Sequence, residues 1–360
     1  MITLFIFLII LGILILVHEF GHFIAAKRLG VRVEKFSIGF GPVLFKKKKG
    51  DTQYCLSAIP LGGFVKLAGD NLQEYKGRDY EYFSKAPGKR AQIIFAGSFF
   101  NYLLGFICFW IIFFSGYPTL TSKVGGLLEG FGAKDAGVQI GDRITAVDGK
   151  KVSSWEELQN IILDRKSQDV VRVSALRQGR EFSVDVLLRE KRFDDILGQK
   201  QKVGLLGITP DLEDTLYVRY GFFKSFLLGI NKTWALTELT YKGLWRMVTG
   251  KIAVRDSAAG PLGIFFITSK VARQGITALL NFIGIISVSL ALFNLLPLPV
   301  LDGGHILFLA IEKIRGKALS IKAERIITQI GLTIIISLFL FVTYNDVMRA
   351  FGSRISDFLK

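Results

Sequence analysis

Four long apolar segments constrain this chain more than any other feature of its sequence. They lie at residues 3–26, 91–114, 276–296 and 327–343, and charged residues are rare within them. An apolar stretch of about 18 residues or more is typical of a helix that crosses a bilayer. Half of the 360 residues are hydrophobic, and they cluster in these runs. We therefore predict a membrane protein with four transmembrane helices.

The first apolar segment resembles a secretory signal peptide only in its position. A signal peptide needs a positively charged start and a cleavage site of small residues. Here the first charged residue is Glu19, and the apolar character resumes after it up to residue 26. We therefore interpret residues 3–26 as a retained transmembrane helix.

The net charge of +16 indicates contact with anionic lipid. Lys and Arg are concentrated in the loops at 27–90 and 300–325, which the positive-inside rule assigns to the cytoplasm. Four spans then place both termini and residues 117–275 on the opposite, periplasmic side. Nucleic-acid binding is not expected, because no basic stripe interleaved with aromatic residues lies away from the spans. Two cysteines, Cys55 and Cys108, do not form a disulfide framework.

The segments between the spans differ in character. Residues 36–45 and 54–69 are β-like and rich in Gly, which predicts a β-hairpin that dips into the membrane surface or lines a site. Residues 117–215 have short alternating strands and Gly/Asp turns, as in a soluble domain. Residues 217–275 mix aromatic and basic residues, which favours amphipathic helices at the membrane interface.

A motif of the form H-E-x-x-H lies at the end of the first apolar segment, with His18, Glu19 and His22. Residues i and i+4 share a face of a helix, so the two imidazoles can bind one metal ion, and the glutamate can act as a base. Ionisable residues at the end of a membrane helix are costly and usually serve a function. The alternative is a helix end that merely leaves the bilayer.

A catalytic zinc ion needs a third protein ligand. The segment 294–305 breaks an apolar run with prolines and glycines and then presents Asp302 and His305. A broken helix with an acid is what a site at membrane depth requires. The predicted topology places this segment on the same side of the membrane as His18. On this reasoning Asp302 and His305 both remain candidates for the third ligand.

The motifs together resemble those of the site-2 protease family of intramembrane zinc metalloproteases, and within it the bacterial RseP-like branch. The matching segments, in order, are HEFGH at 18–22, FSIGFGP at 36–42, IPLGGFVKLAG at 59–69, AGSFFN at 96–101, AGPLGI at 259–264 and NLLPLPVLDGGH at 294–305. This resemblance implies that one zinc ion is bound by His18, His22 and Asp302, with Glu19 as the acid/base. It also implies that Asn294 helps to hold the substrate or the oxyanion.

Two departures from the family pattern stand out. Ser98 occupies a position where relatives often have proline, and we expect no effect of this residue on the chemistry. Asn101 is interpreted as a packing contact. The second departure is a single soluble domain, since residues 119–190 resemble one bacterial PDZ domain where well-known members of the branch have two. Such a domain binds peptide ends by strand addition or acts as a size filter.

The stretch at 59–69 is a candidate substrate-binding edge strand, with Gly62, Gly63, Phe64 and Val65 as its contact residues. A transmembrane helix hides its peptide bonds in internal hydrogen bonds, so it must be unwound before hydrolysis, and strand addition would hold it open. The alternative is a cytoplasmic hairpin that does not contact the substrate.

The predicted fold is thus a polytopic α-helical membrane protein with four transmembrane helices, a membrane-associated β-hairpin and an inserted α+β PDZ domain. The predicted divisions are 1–116 (two spans and the hairpin), 117–192 (PDZ domain), 193–275 (linker and amphipathic helices) and 276–360 (two spans).

The predicted activity is cleavage of single-span proteins, such as anti-sigma factors and signal-peptide remnants, within the bacterial inner membrane in regulated intramembrane proteolysis. The active site is expected near the cytoplasmic side. Three other classes are disfavoured. A membrane-anchored zinc peptidase of another type usually takes a third His or Glu ligand from a nearby helix, and no such signature follows His22. A scaffold with a silent metal site would have no need of Glu19 and Asp302, which are both present. A transporter should show an inverted repeat, and this sequence shows none.

Overall fold

A computed structural model describes residues 2–194, 200–253, 255 and 260–358. Residues 195–199 and 256–259, which belong to the predicted 193–275 segment, lie outside the described residues, as does the first residue of the 259–264 motif. The chain forms two compact units. The first comprises Met1–Ile112, Phe226–Met247 and Ala253–Lys360, and the second comprises Phe113–Ser225 and Val248–Ile252.

Helices and strands alternate along the chain in blocks. The helices are α1 (Ile2–Arg28), α2 (Pro87–Ser115), α3 (Gly132–Asp135), α4 (Trp155–Leu163), α5 (Phe222–Val248), α6 (Pro261–Ala272), α7 (Ile276–Asn294), α8 (Asp302–Arg315) and α9 (Ile321–Phe358). The strands are β1 (Val33–Lys49), β2 (Thr52–Leu67), β3 (Tyr117–Leu120), β4 (Val124–Leu127), β5 (Arg143–Val147), β6 (Lys150–Lys151), β7 (Val170–Arg177), β8 (Arg180–Leu187), β9 (Arg189–Asp194), β10 (Lys200–Leu205), β11 (Ile208–Pro210) and β12 (Thr215–Val218).

Four helices of the described chain are long and apolar enough to cross a membrane. They are α1, α2, α7 and the part of α9 from Lys322 to Ala350. The number of predicted spans is therefore confirmed by length and composition. The short helix α6 is also apolar, whereas α5 exposes aromatic side chains such as Trp234 and Trp245.

Small residues let the helices of the first unit approach one another closely. A Cβ atom added to Gly21 of α1 would lie 2.3 Å from the carbonyl oxygen of Ala96 in α2. A Cβ added to Gly105 of α2 would lie 2.4 Å from a methyl carbon of Val288 in α7. Helices in lipid gain little from hydrophobic burial, so close van der Waals contact at small residues stabilises their association.

The predicted β-hairpin is present, but its pairing is more complex than a simple hairpin. Residues 35–38 of β1 pair with 53–56 and also with 63–66 of β2. Residues 63–67 consequently form an edge of the sheet. The other edge carries Lys46–Lys49, and charged residues on an edge strand prevent pairing with other chains.

A break separates α7 from α8, as the prolines and glycines of this segment predict. The helix α7 ends at Asn294, and α8 begins at Asp302. The connecting loop folds against the start of α8, where a Cβ at Gly303 would lie 2.2 Å from the carbonyl oxygen of Leu295. Asp302 is thereby presented at the first turn of a helix rather than within a span.

The second unit contains a four-stranded sheet with the strand order β6-β5-β7-β8. Helix α4 packs on its core through Leu158 and Ile162, and it begins with a capping box between Ser154 and Glu157. Strands β11 and β12 pair with β4 and β3, so residues 208–218 also belong to this unit. The predicted division at residue 192 remains a sequence-based prediction.

Candidate metal centre

The two histidines of α1 face one another, as their spacing on a helix requires. Their ring centroids are 4.7 Å apart, and the rings are nearly perpendicular at 89°. The Nε2 atoms of His18 and His22 are 3.2 Å apart. The two Nε2 atoms are therefore close enough to bind one metal ion together.

The orientation of His22 is fixed by the backbone of α2. Its Nδ1 lies 2.9 Å from the carbonyl oxygen of Ile93. A carbonyl oxygen can only accept, so Nδ1 carries the proton and donates it. In neutral His22 the Nε2 atom is then left with its lone pair free for a metal ion.

The acid at the start of α8 completes the cluster. The Oδ2 atom of Asp302 is 3.5 Å from His18 Nε2, and Oδ1 is 3.8 Å from His22 Nε2. One ligand atom from each of the three residues lies within 4.8 Å of the others, and no other such cluster occurs in the described part of the chain. Two imidazole nitrogens and one carboxylate oxygen, with a position left open, fit a catalytic zinc ion.

His305 is outside this cluster. It lies one turn further along α8, it is exposed, and its ring packs edge-on against Phe308. Of the two candidates for third ligand, the structure thus brings Asp302, and not His305, to the histidine pair.

Helix α2 forms the wall behind the cluster. A Cβ atom at Gly97 would lie 2.3 Å from His22 Nε2 and 2.8 Å from His18 Cε1, so the site has no room for a side chain there. The next residue, Ser98, is fully buried, and its hydroxyl donates a hydrogen bond of 3.0 Å to Asp302 Oδ2.

The expectation that residue 98 has no effect on the chemistry stays a prediction, but the structure places Ser98 in contact with the candidate ligand Asp302. The only signal in the sequence was a hydroxyl-bearing residue at a position where relatives often have proline. The sequence alone does not show that this hydroxyl contacts Asp302, because the contact exists only when α2 and α8 pack together.

The base of the motif, Glu19, faces the edge of the β-sheet. A Cβ at Gly63 would lie 3.6 Å from Glu19 Cγ, and the backbone of Val65 interacts with the Glu19 carboxylate. The candidate base Glu19 and the edge strand at 63–67 are therefore neighbours.

A cavity of about 580 Å³ opens onto these groups. Its wall includes Glu19, His22, Val65, Asp302 and His305. The cavity thus gives the metal cluster, the candidate base and the edge strand a common space large enough for several residues of a peptide.

Comparison with known proteins agrees with this geometry. The sequence model described as Peptidase family M50 matches residues 6–338. The chain belongs to peptidase family M50. A putative zinc metalloprotease of Campylobacter jejuni is 34% identical, and the match covers 95% of this chain and 92% of that protein. The regulator of sigma-E protease RseP of Escherichia coli is 29% identical, with coverage of 95% and 98%.

These matches make the chain a zinc metallopeptidase of family M50 and confirm the resemblance to the RseP-like branch. The zinc metalloprotease RasP of Geobacillus kaustophilus is 29% identical over 96% of this chain and 97% of that protein. A PDZ domain of an SdrC-like protein from Listeria monocytogenes is 24% identical and covers 26% of this chain and 88% of its own, with a TM-score of 0.20. A score this low establishes no shared fold, so the PDZ assignment of the M50 peptidase remains a sequence-based prediction.

The candidate substrate residues of this M50 peptidase lie in different places. Gly63 and Val65 adjoin Glu19, as described above. Gly62 has a φ of 152° and packs against the ring of Phe40, which also stacks on Phe64 with centroids 6.3 Å apart. Asn294 is the last residue of α7 and is not part of the cavity wall formed by the described residues.

Two further buried polar residues of the M50 peptidase lie on α2, the helix that carries Gly97 and Ser98. Asn101 is fully buried, its backbone carbonyl accepts a hydrogen bond of 2.7 Å from Ser287, and its side-chain amide has no partner among the described residues. Arg90 at the start of α2 forms an ion pair with Glu312 of α8, and both line the cavity. This pair joins the helix that carries Ser98 to the helix that carries Asp302.

Proposed function

We propose that this chain is a zinc-dependent endopeptidase that hydrolyses peptide bonds within the transmembrane segments of single-span membrane proteins. The observation that supports this most is the position of the cluster of His18, His22 and Asp302. It is built from helices of a bundle with four candidate membrane spans, and it opens onto a cavity shared with Glu19.

In this proposal His18 and His22 would hold the zinc ion through their imidazoles, and Asp302 would hold it through its carboxylate. A bound zinc ion supplies a water molecule of lowered pKa and polarises the scissile carbonyl. The carbonyl oxygen of Ile93 keeps His22 in the required tautomer by accepting a hydrogen bond from its Nδ1–H. Gly97 allows α2 to close against both imidazoles.

Glu19 acts as the general base and then as the general acid. It accepts a proton from the attacking water and delivers it to the nitrogen of the leaving amine. Its position supports this role, because it lines the cavity together with His22 and Asp302 and lies beside the edge strand.

The substrate is held as an added strand along residues 63–67. Among the described residues this stretch pairs with β1 on one side only, so an extended peptide could join its other edge. On that edge the Leu67 N–H already donates to Asp70 Oδ2, and the Val65 backbone meets Glu19. The stretch passes Glu19, and this supports the proposal because a strand added there would lie beside the proposed base. For Asn294, the family resemblance is the sole support for a role with the substrate.

The proposed setting is a bacterial inner membrane with the site near the cytoplasmic face and the second unit in the periplasm. The basic loops at 27–90 and 300–325 support this orientation. The proposed substrates are anti-sigma factors and signal-peptide remnants, and the support for them is the family resemblance. The Escherichia coli relative is named a regulator of sigma-E protease. The predicted PDZ domain is proposed to bind peptide ends or to exclude bulky proteins.

Zinc analysis combined with a cleavage assay tests the proposal. The purified chain and its Glu19→Gln, Asp302→Asn and His305→Ala variants are compared on a single-span substrate in lipid vesicles. We expect Glu19→Gln to retain zinc and lose cleavage, Asp302→Asn to lose both, and His305→Ala to retain zinc. Full cleavage by Glu19→Gln would refute the mechanism. Zinc loss in His305→Ala, with wild-type zinc in Asp302→Asn, would assign the third ligand to His305.

A further inference from the structure

Ser98 stands between two helices that must meet for the site to form. It lies on α2 next to Gly97, which touches both imidazoles, and its hydroxyl donates to Oδ2 of Asp302 on α8. We infer that Ser98 is a positioning residue that orients the Asp302 carboxylate for metal binding. This inference rests on the proposed metal site.

The Asp302 carboxylate needs such a partner because little else holds it. Apart from the two imidazoles, Ser98 is the only hydrogen-bond partner of its side chain among the described residues. Asp302 is also the first residue of its helix, directly after a loop. Without a donor, its side chain is free to rotate away from His18 and His22.

The hydroxyl suits this role because it is neutral and buried. Ser98 is 0% exposed, so water does not compete for its hydrogen bond. A neutral donor leaves the negative charge of the carboxylate available for a cation, whereas a Lys or Arg partner would offset it. His22 is held in a similar manner, since its Nδ1 donates to the carbonyl oxygen of Ile93, which lies on α2 like Ser98. Helix α2 therefore orients two ligands from α1 and α8 at once.

The magnitude follows from the behaviour of outer-sphere partners. Loss of a hydrogen bond to a metal ligand typically lowers metal affinity about 10- to 100-fold. We expect Ser98→Ala to raise the zinc dissociation constant of the full chain within that range. Ser98→Thr keeps the hydroxyl and should restore affinity to within a few-fold of the wild type.

The test is a chelator competition that measures zinc dissociation constants of the purified full-length chain in detergent. Ser287→Ala is the matched control, because Ser287 is equally buried and its hydroxyl donates to the Asn101 carbonyl rather than to a ligand. We expect the control to bind zinc like the wild type. Equal losses in Ser98→Ala and Ser287→Ala, or wild-type affinity in Ser98→Ala, would overturn the inference.

A double-mutant cycle separates this inference from the metal site on which it rests. In an Asp302→Ala background the two histidines remain, and their weaker zinc binding is titrated at raised zinc concentration. If Ser98 acts through Asp302, Ser98→Ala should not weaken this residual binding further. The same additional loss in both backgrounds would show a role that does not pass through the carboxylate and would overturn the inference alone. Wild-type zinc affinity in Asp302→Ala itself would remove the proposed metal site, and the inference with it.

Discussion

The substitution Gly97→Ala probes the contact between α1 and α2 most sharply. The added Cβ would lie 2.3 Å from His22 Nε2 and 2.4 Å from His22 Cε1, so one of the two helices or the imidazole must shift by about 1 Å to reach an ordinary contact distance. Overpacking of this kind costs about 1–3 kcal/mol. A misplacement of about 1 Å at catalytic groups can lower the rate about 100-fold.

Moving His22 also strains its hydrogen bond to Ile93, which has a length of 2.9 Å. We therefore expect Gly97→Ala to bind zinc more weakly and to cleave a single-span substrate at least about 100-fold more slowly. The assay compares zinc content and initial cleavage rates in lipid vesicles at equal protein concentration.

Gly88→Ala is the matched control for this substitution. Gly88 lies on the same helix, and a Cβ added there has no neighbour within 4 Å. Alanine is a better helix former than glycine, so this variant should be as stable as the wild type or slightly more so. Wild-type zinc binding and cleavage in Gly97→Ala would refute the packing argument.

Three further experiments test the packing and the charges. Arg90→Met leaves the half-buried Glu312 without its partner and should destabilise the chain by less than the about 3–5 kcal/mol of a fully buried pair. Adding Glu312→Leu should recover most of this loss in thermal unfolding. Gly105→Ala should lower the unfolding temperature, because its Cβ would lie 2.4 Å from Val288 Cγ2, and an unchanged temperature would contradict the close helix contact. Burial acts to raise the pKa of Asp142, but its hydrogen bonds, chiefly from Arg177, hold that pKa below the ordinary value. The Asp142 contribution to stability is thus present above about pH 4 and lost as the pH falls through the lowered pKa, and Asp142→Asn should flatten this acid limb in pH-dependent unfolding.

Much of the site could be predicted from the sequence because its signals are local. The spacing of His18 and His22 places both on one helix face, and two prolines mark the break before Asp302. The long apolar runs predict the four spans without any tertiary information. Each of these signals depends only on residues that are close together in the chain.

The contacts that complete the site could not be predicted in this way. Gly97 and Ser98 act across helix–helix contacts with residues about 75 and 200 positions away, and such contacts have no periodicity that a single sequence reveals. The two-sided pairing of residues 35–38 likewise cannot be predicted, because a hairpin pattern does not show which strand lies in the middle of the sheet. The pairing of β11 and β12 with β4 and β3 could not be predicted either. These strands are far apart in the chain, and no sequence pattern links them.

The position of the cut bond tests the central claim most directly. Mass spectrometry of the products from a single-span substrate in lipid vesicles locates that bond for the wild-type chain, with Glu19→Gln as the inactive control. The account predicts a zinc-dependent cut within the apolar span and no cut by Glu19→Gln. A cut only in the soluble flanks of the substrate, or the same products from Glu19→Gln, would contradict it.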